Sequence, residues 1–302
     1  MKVTYVLVTY NRLELLKQTL KAALEMTRKF DNIIVIDNCS TDGTSEYLKS
    51  FLCENKNIKF FSLAENIGGA GGFSFGIQKA LETTDCDWVF LADDDAVPDA
   101  DVLEILEKTY DNECNKSEIA ALCTSVLTDG QIQTIHRRII RKGLLNVKEE
   151  AVSIDNYNTH FDVDILSFVG AMIKVDVIKK IGLPQKELFI YYDDSIYSMR
   201  IRGEGRIICE PKAVMDHRVS NKTTNWMDWR EYYMTRNKIY FLKELFKPRY
   251  YKWCVLKQYL KRTTIVARIL KKRSKKDIKM LRAALYDGSH GKLGINPIYR
   301  PK

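Results

Sequence analysis

The sequence predicts an α/β fold: a mainly parallel sheet sandwiched by helices, followed by a basic helical region. Three observations carry this. Strand-length apolar runs alternate with helix-period segments four to five times in roughly the first 125 residues. Turn-forming residues separate them. Polar residues gather where the strands end, at the carboxyl edge where such sheets bind ligands.

Val3 to Val8 reads as a buried strand, and Asn11 to Leu24 as a helix with Leu13, Leu16, Leu20, Ala23 and Leu24 at helical spacing. Ile33 to Ile36 is a second strand, ending at Asp37-Asn38. The turn Ser40-Thr41-Asp42-Gly43 leads into a helix through Leu52. Ile58 to Leu63 is a third strand, Gly72 to Leu81 a helix, and Trp88 to Leu91 a fourth strand running into Asp93-Asp94-Asp95. A helix from Asp99 to Tyr110 and a strand near Ala120 to Val126 follow. Gln131 to His160 is expected to be irregular with short strands. Ile165 to Val175 is apolar again, Ser195 to Arg202 fits a short helix stopped by Gly203, and Ile207 to Cys209 is a strand. A boundary is expected near Asn221 to Trp226. It would divide a catalytic body (1–225) from a basic helical region (226–302).

The 302 residues are 45% hydrophobic and 29% charged, which excludes disordered and collagen-like chains. The net charge of +9 is uneven. Arg236 to Arg282 holds 17 Lys and Arg against Glu244 and Asp277, leaving −6 for the remainder. Tyr240, Phe241, Leu245, Trp253, Leu256, Tyr259, Leu260, Ile265, Val266, Ile269 and Leu270 recur at helical spacing within that stretch. Such a segment suits an anionic membrane surface or, more simply, is a solvated helical face. No nucleic-acid motif accompanies it, so no nucleic-acid partner is expected. No apolar run is long enough to span a bilayer. The first strand lacks the pattern of a secretory leader, and seven cysteines without a CxxC argue for reduced thiols, so a cytoplasmic location is expected.

Three consecutive aspartates after an apolar strand repel one another unless something positive sits among them. A divalent cation, Mn²⁺ or Mg²⁺, answers that need and binds diphosphate oxygens in turn. Asp93 and Asp95 share a face of an extended chain, and His217 is a candidate third ligand. The other reading of the triplet is an exposed acidic loop capping the next helix. Thr9, Asp37 and Asn66 also follow strands or short turns. The run Gly68-Gly69-Ala70-Gly71-Gly72 suits close approach of backbone to a ligand, or a tight turn, and is not spaced as GxGxxG. Asp193 reads as a helix cap, and Asp194 as a general base if it faces the same cleft.

Taken together, these motifs resemble family 2 glycosyltransferases of the GT-A fold. Val8-Thr9-Tyr10-Asn11-Arg12, Ile36 to Gly43 and Leu91 to Asp95 carry that likeness. Glu65 to Phe73, Tyr192-Asp193-Asp194, His217, Tyr232-Tyr233-Met234-Thr235-Arg236-Asn237, Asp287-Gly288 and Gly291 to Gly294 are similar to bacterial galactofuranosyltransferases, which have rhamnosyltransferase relatives. The resemblance covers most of the chain. It implies a nucleotide-sugar pocket formed by Thr9, Arg12, Asp37, Asn66, Gly69, Asp93 and Asp94, and a metal held by Asp93, Asp95 and His217. It implies Asp194 as the base, and an acceptor region at Tyr191, Tyr192, Asp193 and Arg236. The implied reaction is inverting transfer of galactofuranose from UDP-galactofuranose to a glycan or lipid-linked acceptor, on the inner face of the cell membrane, by a protein that could be oligomeric. A dTDP-rhamnose donor is the alternative within this chemistry, and a non-catalytic sugar-nucleotide-binding or membrane-surface scaffold is the alternative outside it.

Overall fold

The computed structural model describes residues 1–52, 55–143, 146–218, 228–264 and 273–301. Thirteen strands are seen among them: β1 (Val3–Thr9), β2 (Asn32–Asp37), β3 (Ile58–Ser62), β4 (Trp88–Asp93), β5 (Ala96–Pro98), β6 (Ile119–Thr128), β7 (Gln131–Ile132), β8 (Arg137–Gly143), β9 (Asn146–Ala151), β10 (Phe161–Val163), β11 (Ile165–Leu166), β12 (Ala171–Lys174) and β13 (Arg206–His217). The helices are α1 (Leu13–Glu25), α2 (Thr44–Leu52), α3 (Gly68–Thr83), α4 (Val102–Asn112), α5 (Val175–Ile181), α6 (Asp193–Glu204), α7 (Trp229–Leu245), α8 (Pro248–Thr263) and α9 (Lys275–His290).

The main sheet runs β10-β13-β6-β12-β4-β1-β2-β3. Its β4-β1-β2-β3 half is parallel, and β12 joins that half to β6 through antiparallel pairs. Strand β1 is buried along its whole length, as a central strand covered on both faces must be. Its side chains alternate between two cores. Tyr5 and Leu7 pack with Leu16 and Leu20 of α1 and Leu103 and Leu106 of α4. Val6 and Val8 pack with Phe73 and Ile77 of α3 on the opposite face.

Three differences from the sequence reading concern α3, α6 and the stretch after β7. Helix α3 starts at Gly68, four residues earlier than expected, where φ +75° and the close approach of Phe189 O suit glycine, and farther along its glycines let it lie close against β1. A Cβ at Gly72 would stand 2.6 Å from Val8 Cγ1, and one at Gly76 2.4 Å from Val6 Cγ1. Helix α6 continues through Gly203 and is capped at Gly205. Within the stretch expected to be irregular with short strands, the strands β8 and β9 pair as an antiparallel hairpin and join β11 in a second, three-stranded sheet. The first helix of the basic region packs on the body. Phe241 and Leu245 of α7 share a core with Ala70, Ile165, Leu188 and Ile196, and Tyr232 and Tyr233 pack with Phe189. The boundary predicted at Asn221 to Trp226, and the apolar positions Ile265, Val266, Ile269 and Leu270, lie outside the described residues.

Candidate active site

The strand order reverses between β1 and β4, which places their carboxyl ends at a topological switch point. Val8 is in register with Asp93, so Thr9 and Asp94 follow side by side, and Thr9 Oγ1 donates to Asp94 Oδ2 at 2.7 Å. Strand β5 then turns back to pair antiparallel with the end of β13, His217 opposite Ala96. That pairing brings together residues more than a hundred positions apart. His217 Nε2 stands 3.3 Å from Asp95 Oδ1.

Each aspartate of the triplet meets a different environment. Burial, then the charges of Asp95 and Asp94, push Asp93 up to about 7. Burial raises Asp94 to about 6 against the pull of Arg12, whose Nη1 lies 3.2 Å from Asp94 Oδ1. Burial would also raise Asp95, but His217 and Arg12 hold it below the usual carboxylate range. Arg12 thus supplies part of the positive charge that the triplet requires.

Two cavities meet here. The first, about 420 Å³, is lined by Thr9, Arg12, Asn38, Asn66, Asp93 and Asp94 on the sheet side and by Tyr191, Trp229, Arg230 and Pro301 opposite. The second, about 560 Å³, is lined by Asp93, His136, Arg138, Tyr191, Tyr192, Asp193, Asp194 and His217. Gly69, Asp93, Ile190 and Tyr191 belong to both walls. A Cβ added at Gly69 would meet nothing within 4 Å, so this glycine keeps the shared wall open. Neighbouring Gly68 has φ +75° and lies so near the chain at Phe189 that a Cβ would stand 2.0 Å from its carbonyl oxygen.

Asp193 and Asp194 begin α6, delivered by a strap in which Phe189, Tyr191 and Tyr192 all have positive φ. Tyr192 is therefore the cap residue and Asp193 the first helical residue, which corrects the expected capping role of Asp193. Burial, then the neighbouring Asp194, raise Asp193 to about 8. Asp194 Oδ1 accepts from Ser195 Oγ at 3.0 Å, and its Oδ2 lies 3.9 Å from Arg138 Nη2.

Three expected site residues line neither cavity: Asp95, 4% exposed and engaged by Arg12 and His217, then Asp37 and Arg236. Asp37 is not among the cavity-lining residues: its carboxylate accepts from Ser40 N at 2.9 Å and Ser62 Oγ at 3.2 Å, and also from Ser45. The adjacent Asn38 lines the first cavity instead, with its Nδ2 3.1 Å from Asn66 Oδ1. Arg236, expected near the acceptor, is 1% exposed. Its guanidinium donates to Leu188 O at 2.9 Å, Gly294 O at 2.6 Å and Asn237 Oδ1 at 2.8 Å, leaving it engaged inside the protein. A guanidinium withdrawn from water needs such partners. The sequence reading also missed His136, Arg138, Trp229 and Arg230. His136 and Arg138 flank the amino end of β8 and Trp229 and Arg230 begin α7, away from the carboxyl strand ends, and only the fold brings them to the cavities.

No group of three or more His, Cys, Asp or Glu side chains converges as a ready metal cage among the described residues. The donors that are present still fit a divalent cation. Asp95 Oδ1 is buried and makes no hydrogen bond, although His217 Nε2 stands 3.3 Å away. Two adjacent ligands on one small octahedral cation lie about 3 Å apart. Such ions are commonly held by one or two carboxylates, with substrate phosphates completing the shell.

The glycosyl transferase family 2 pattern matches residues 4–182. The galactofuranosyltransferase GlfT1 of Mycolicibacterium smegmatis is 30% identical over 205 residues, 66% of this chain and 65% of that protein, so the match spans just under two thirds of the relative. Among solved structures, Staphylococcus aureus TarS 1-349 in complex with UDP-GlcNAc superposes with a TM-score of 0.61 at 17% identity, over 95% of this chain and 80% of that one. GalNAc-T7 with UDP, GalNAc and Mn²⁺ gives 0.64 at 14% identity, over 95% and 55%. The two structural likenesses establish a GT-A fold. With the pattern spanning more than half of its length, the chain belongs to glycosyl transferase family 2.

Proposed function

We propose that this chain is an inverting, metal-dependent galactofuranosyltransferase that moves galactofuranose from UDP-galactofuranose to a hydroxyl of a glycan acceptor. The observation that carries the reading is the pair of cavities sharing Gly69, Asp93 and Tyr191, one against the strand ends and one against Asp193 and Asp194. The likeness to a galactofuranosyltransferase supports the donor sugar.

In this reading Thr9, Arg12, Asn38 and Asn66 bind the nucleotide in the first cavity, and the acceptor enters the second. Asp95 and His217, beside Asp93, are the residues that would hold a divalent cation, with substrate phosphates completing its shell; when bound it offsets charge on the departing diphosphate. Asp194 takes the proton of the acceptor hydroxyl as that oxygen bonds to the anomeric carbon. The bond from that carbon to the diphosphate oxygen breaks on the opposite side, and the nucleoside diphosphate leaves with the electron pair. Removing such a base typically costs about 10²–10⁴-fold. Arg138 and Ser195 orient the carboxylate, and the left-handed strap aims it.

The acceptor region borders a basic surface. Helix α8 exposes Trp253, Leu256, Tyr259 and Leu260 and contains Arg249, Lys252, Lys257, Lys261 and Arg262 without any acid. This supports peripheral attachment to an anionic membrane face, and hence a lipid-linked acceptor.

The test is transfer by the purified chain to a galactofuranoside acceptor, supplied with either UDP-galactofuranose or dTDP-rhamnose and with Mn²⁺ or Mg²⁺. Transfer from the UDP donor, abolished by chelator and restored by added metal, is expected. Preference for dTDP-rhamnose would overturn the donor, activity in excess chelator the metal, and no turnover with either donor the enzyme reading in favour of a scaffold.

A further inference from the structure

The base-side cavity does not end at Asp194. A third cavity, about 570 Å³, lies beyond it between the β8-β9 hairpin and α7, lined by Val147, Lys148, Glu149, Glu150 and Lys238. It shares Ile135, Arg138 and Tyr192 with the base-side cavity, so the two spaces adjoin across these three side chains. We propose that this second space is an acceptor subsite for a neutral glycan, so that the chain recognises at least two linked sugar residues, one at Asp194 and the next against the hairpin. The inference rests on the transferase reading above and adds the class and minimum length of the acceptor.

Charge selects the ligand. The lining sets Arg138, Lys148 and Lys238 against Glu149 and Glu150, close to balance. A phosphate-bearing headgroup would call for a clear excess of cations. Balanced carboxylates and cations on an open wall suit the alternating donors and acceptors of sugar hydroxyls. Apolar surface for a sugar's C–H face is also present. Ile135 is 61% exposed at the junction, where it lines both cavities, and Val147 lies beyond it.

The junction is organised around Arg138 and Glu149. Arg138 pairs with Glu149, and its Nη2 donates to Ser195 Oγ at 3.0 Å beside Asp194. Glu149 Oε1 accepts from the Tyr192 hydroxyl at 3.3 Å, and Lys238 Nζ stands 3.9 Å from the same oxygen. The two spaces are thus bridged by one network that ends on the proposed base. Arg138 Nε is buried in this wall without a hydrogen-bond partner. An unmatched donor of that kind is costly in a folded protein.

The test compares methyl glycosides of one, two and three galactofuranose residues as acceptors, and octyl galactofuranoside as a lipid-like control. For the native chain, kcat/KM is expected to rise about five- to tenfold from one residue to two, the worth of one or two hydrogen bonds. In the double variant Lys148→Ala, Glu150→Ala, both positions being solvent-facing, the two-to-one ratio is expected to fall toward unity with Tm retained. An unchanged ratio in the variant, no preference for two residues in the native chain, or an octyl monosaccharide equalling the trisaccharide would each overturn the subsite. Release of UDP from the donor without acceptor, measured alongside, reads the transferase assignment separately. Saturation-transfer NMR with the trisaccharide reads the subsite even if no turnover occurs: contacts confined to the terminal residue would overturn it.

Discussion

Asp193 shows how position in the fold decides what a carboxyl can do. It is buried at the start of α6, where desolvation, then Asp194, then Asp93, hold it protonated up to about pH 8. The sign follows from linkage. A carboxyl whose folded pKa lies above its unfolded value of 3.8 contributes stability fully present below 3.8 and lost as pH rises through about 8. Asp193→Asn should therefore leave Tm unchanged near pH 4 and raise it at pH 8, with a gain on the order of 2–4 kcal/mol. Thermal melts of both proteins across that range check this, and an equal Tm difference at both ends would refute the buried-carboxyl account. The local sequence assigns Asp193 to capping and Asp194 to catalysis, but it does not show that Asp193 is the more deeply buried of the two. The difference arises from the turn of the strap, where three non-glycine residues take positive φ.

At the scale of elements, the strap from Leu188 to Tyr192 joins the two halves of the site. Phe189 O accepts from Ala70 N at 3.1 Å at the start of α3, and the far end of the strap delivers Asp193 and Asp194. Asn237 on α7 fastens it. Its Nδ2 lies within 3.0 Å of the carbonyls of Leu188, Ile190 and Tyr191. Asn237→Ala removes this clasp without touching either cavity. Transfer is expected to fall about 10²-fold, the cost of a misplaced catalytic group, while UDP affinity stays within about threefold. Calorimetric titration with UDP beside steady-state kinetics separates the two effects, and equal loss in both would mark a general folding role. The Arg236-Asn237 pair was legible in the sequence as part of a motif, but not as interior structure. A charged residue beside a polar one on a basic stretch looks like surface until the partners for its hydrogen bonds are known. The opposite holds for the glycine run. The spacing pointed to ligand contact, yet Gly72 and Gly76 serve helix packing and Gly69 is left to face the cavities.

At the scale of the whole molecule, the parallel half of the sheet was readable because β1, β2 and β4 are continuous apolar runs, and their ends located Thr9 and the aspartate triplet. The hairpin β8-β9 was not. Its strand Arg137–Gly143 is rich in charge and only partly buried, so it lacks the apolar alternation that marks a strand. That hairpin supplies Arg138 and Glu149, which explains why the acceptor side was less visible than the donor side. The α8 surface carries its own prediction. Replacing Arg249, Lys252, Lys257 and Lys261 with Gln should weaken binding to vesicles containing anionic lipid, by about 1 kcal/mol per charge at low salt, and leave solution transfer to a short glycoside intact. Cosedimentation at two salt concentrations measures it, and undiminished binding would assign those charges another role.

The division of the molecule into a donor side and an acceptor side meets its sharpest test at Asp194. With Asp194→Asn, calorimetric titration with UDP and Mn²⁺ should give a Kd within about threefold of the native value, while transfer from UDP-galactofuranose falls at least about 100-fold. Retained transfer, or UDP affinity lost along with it, would contradict the account.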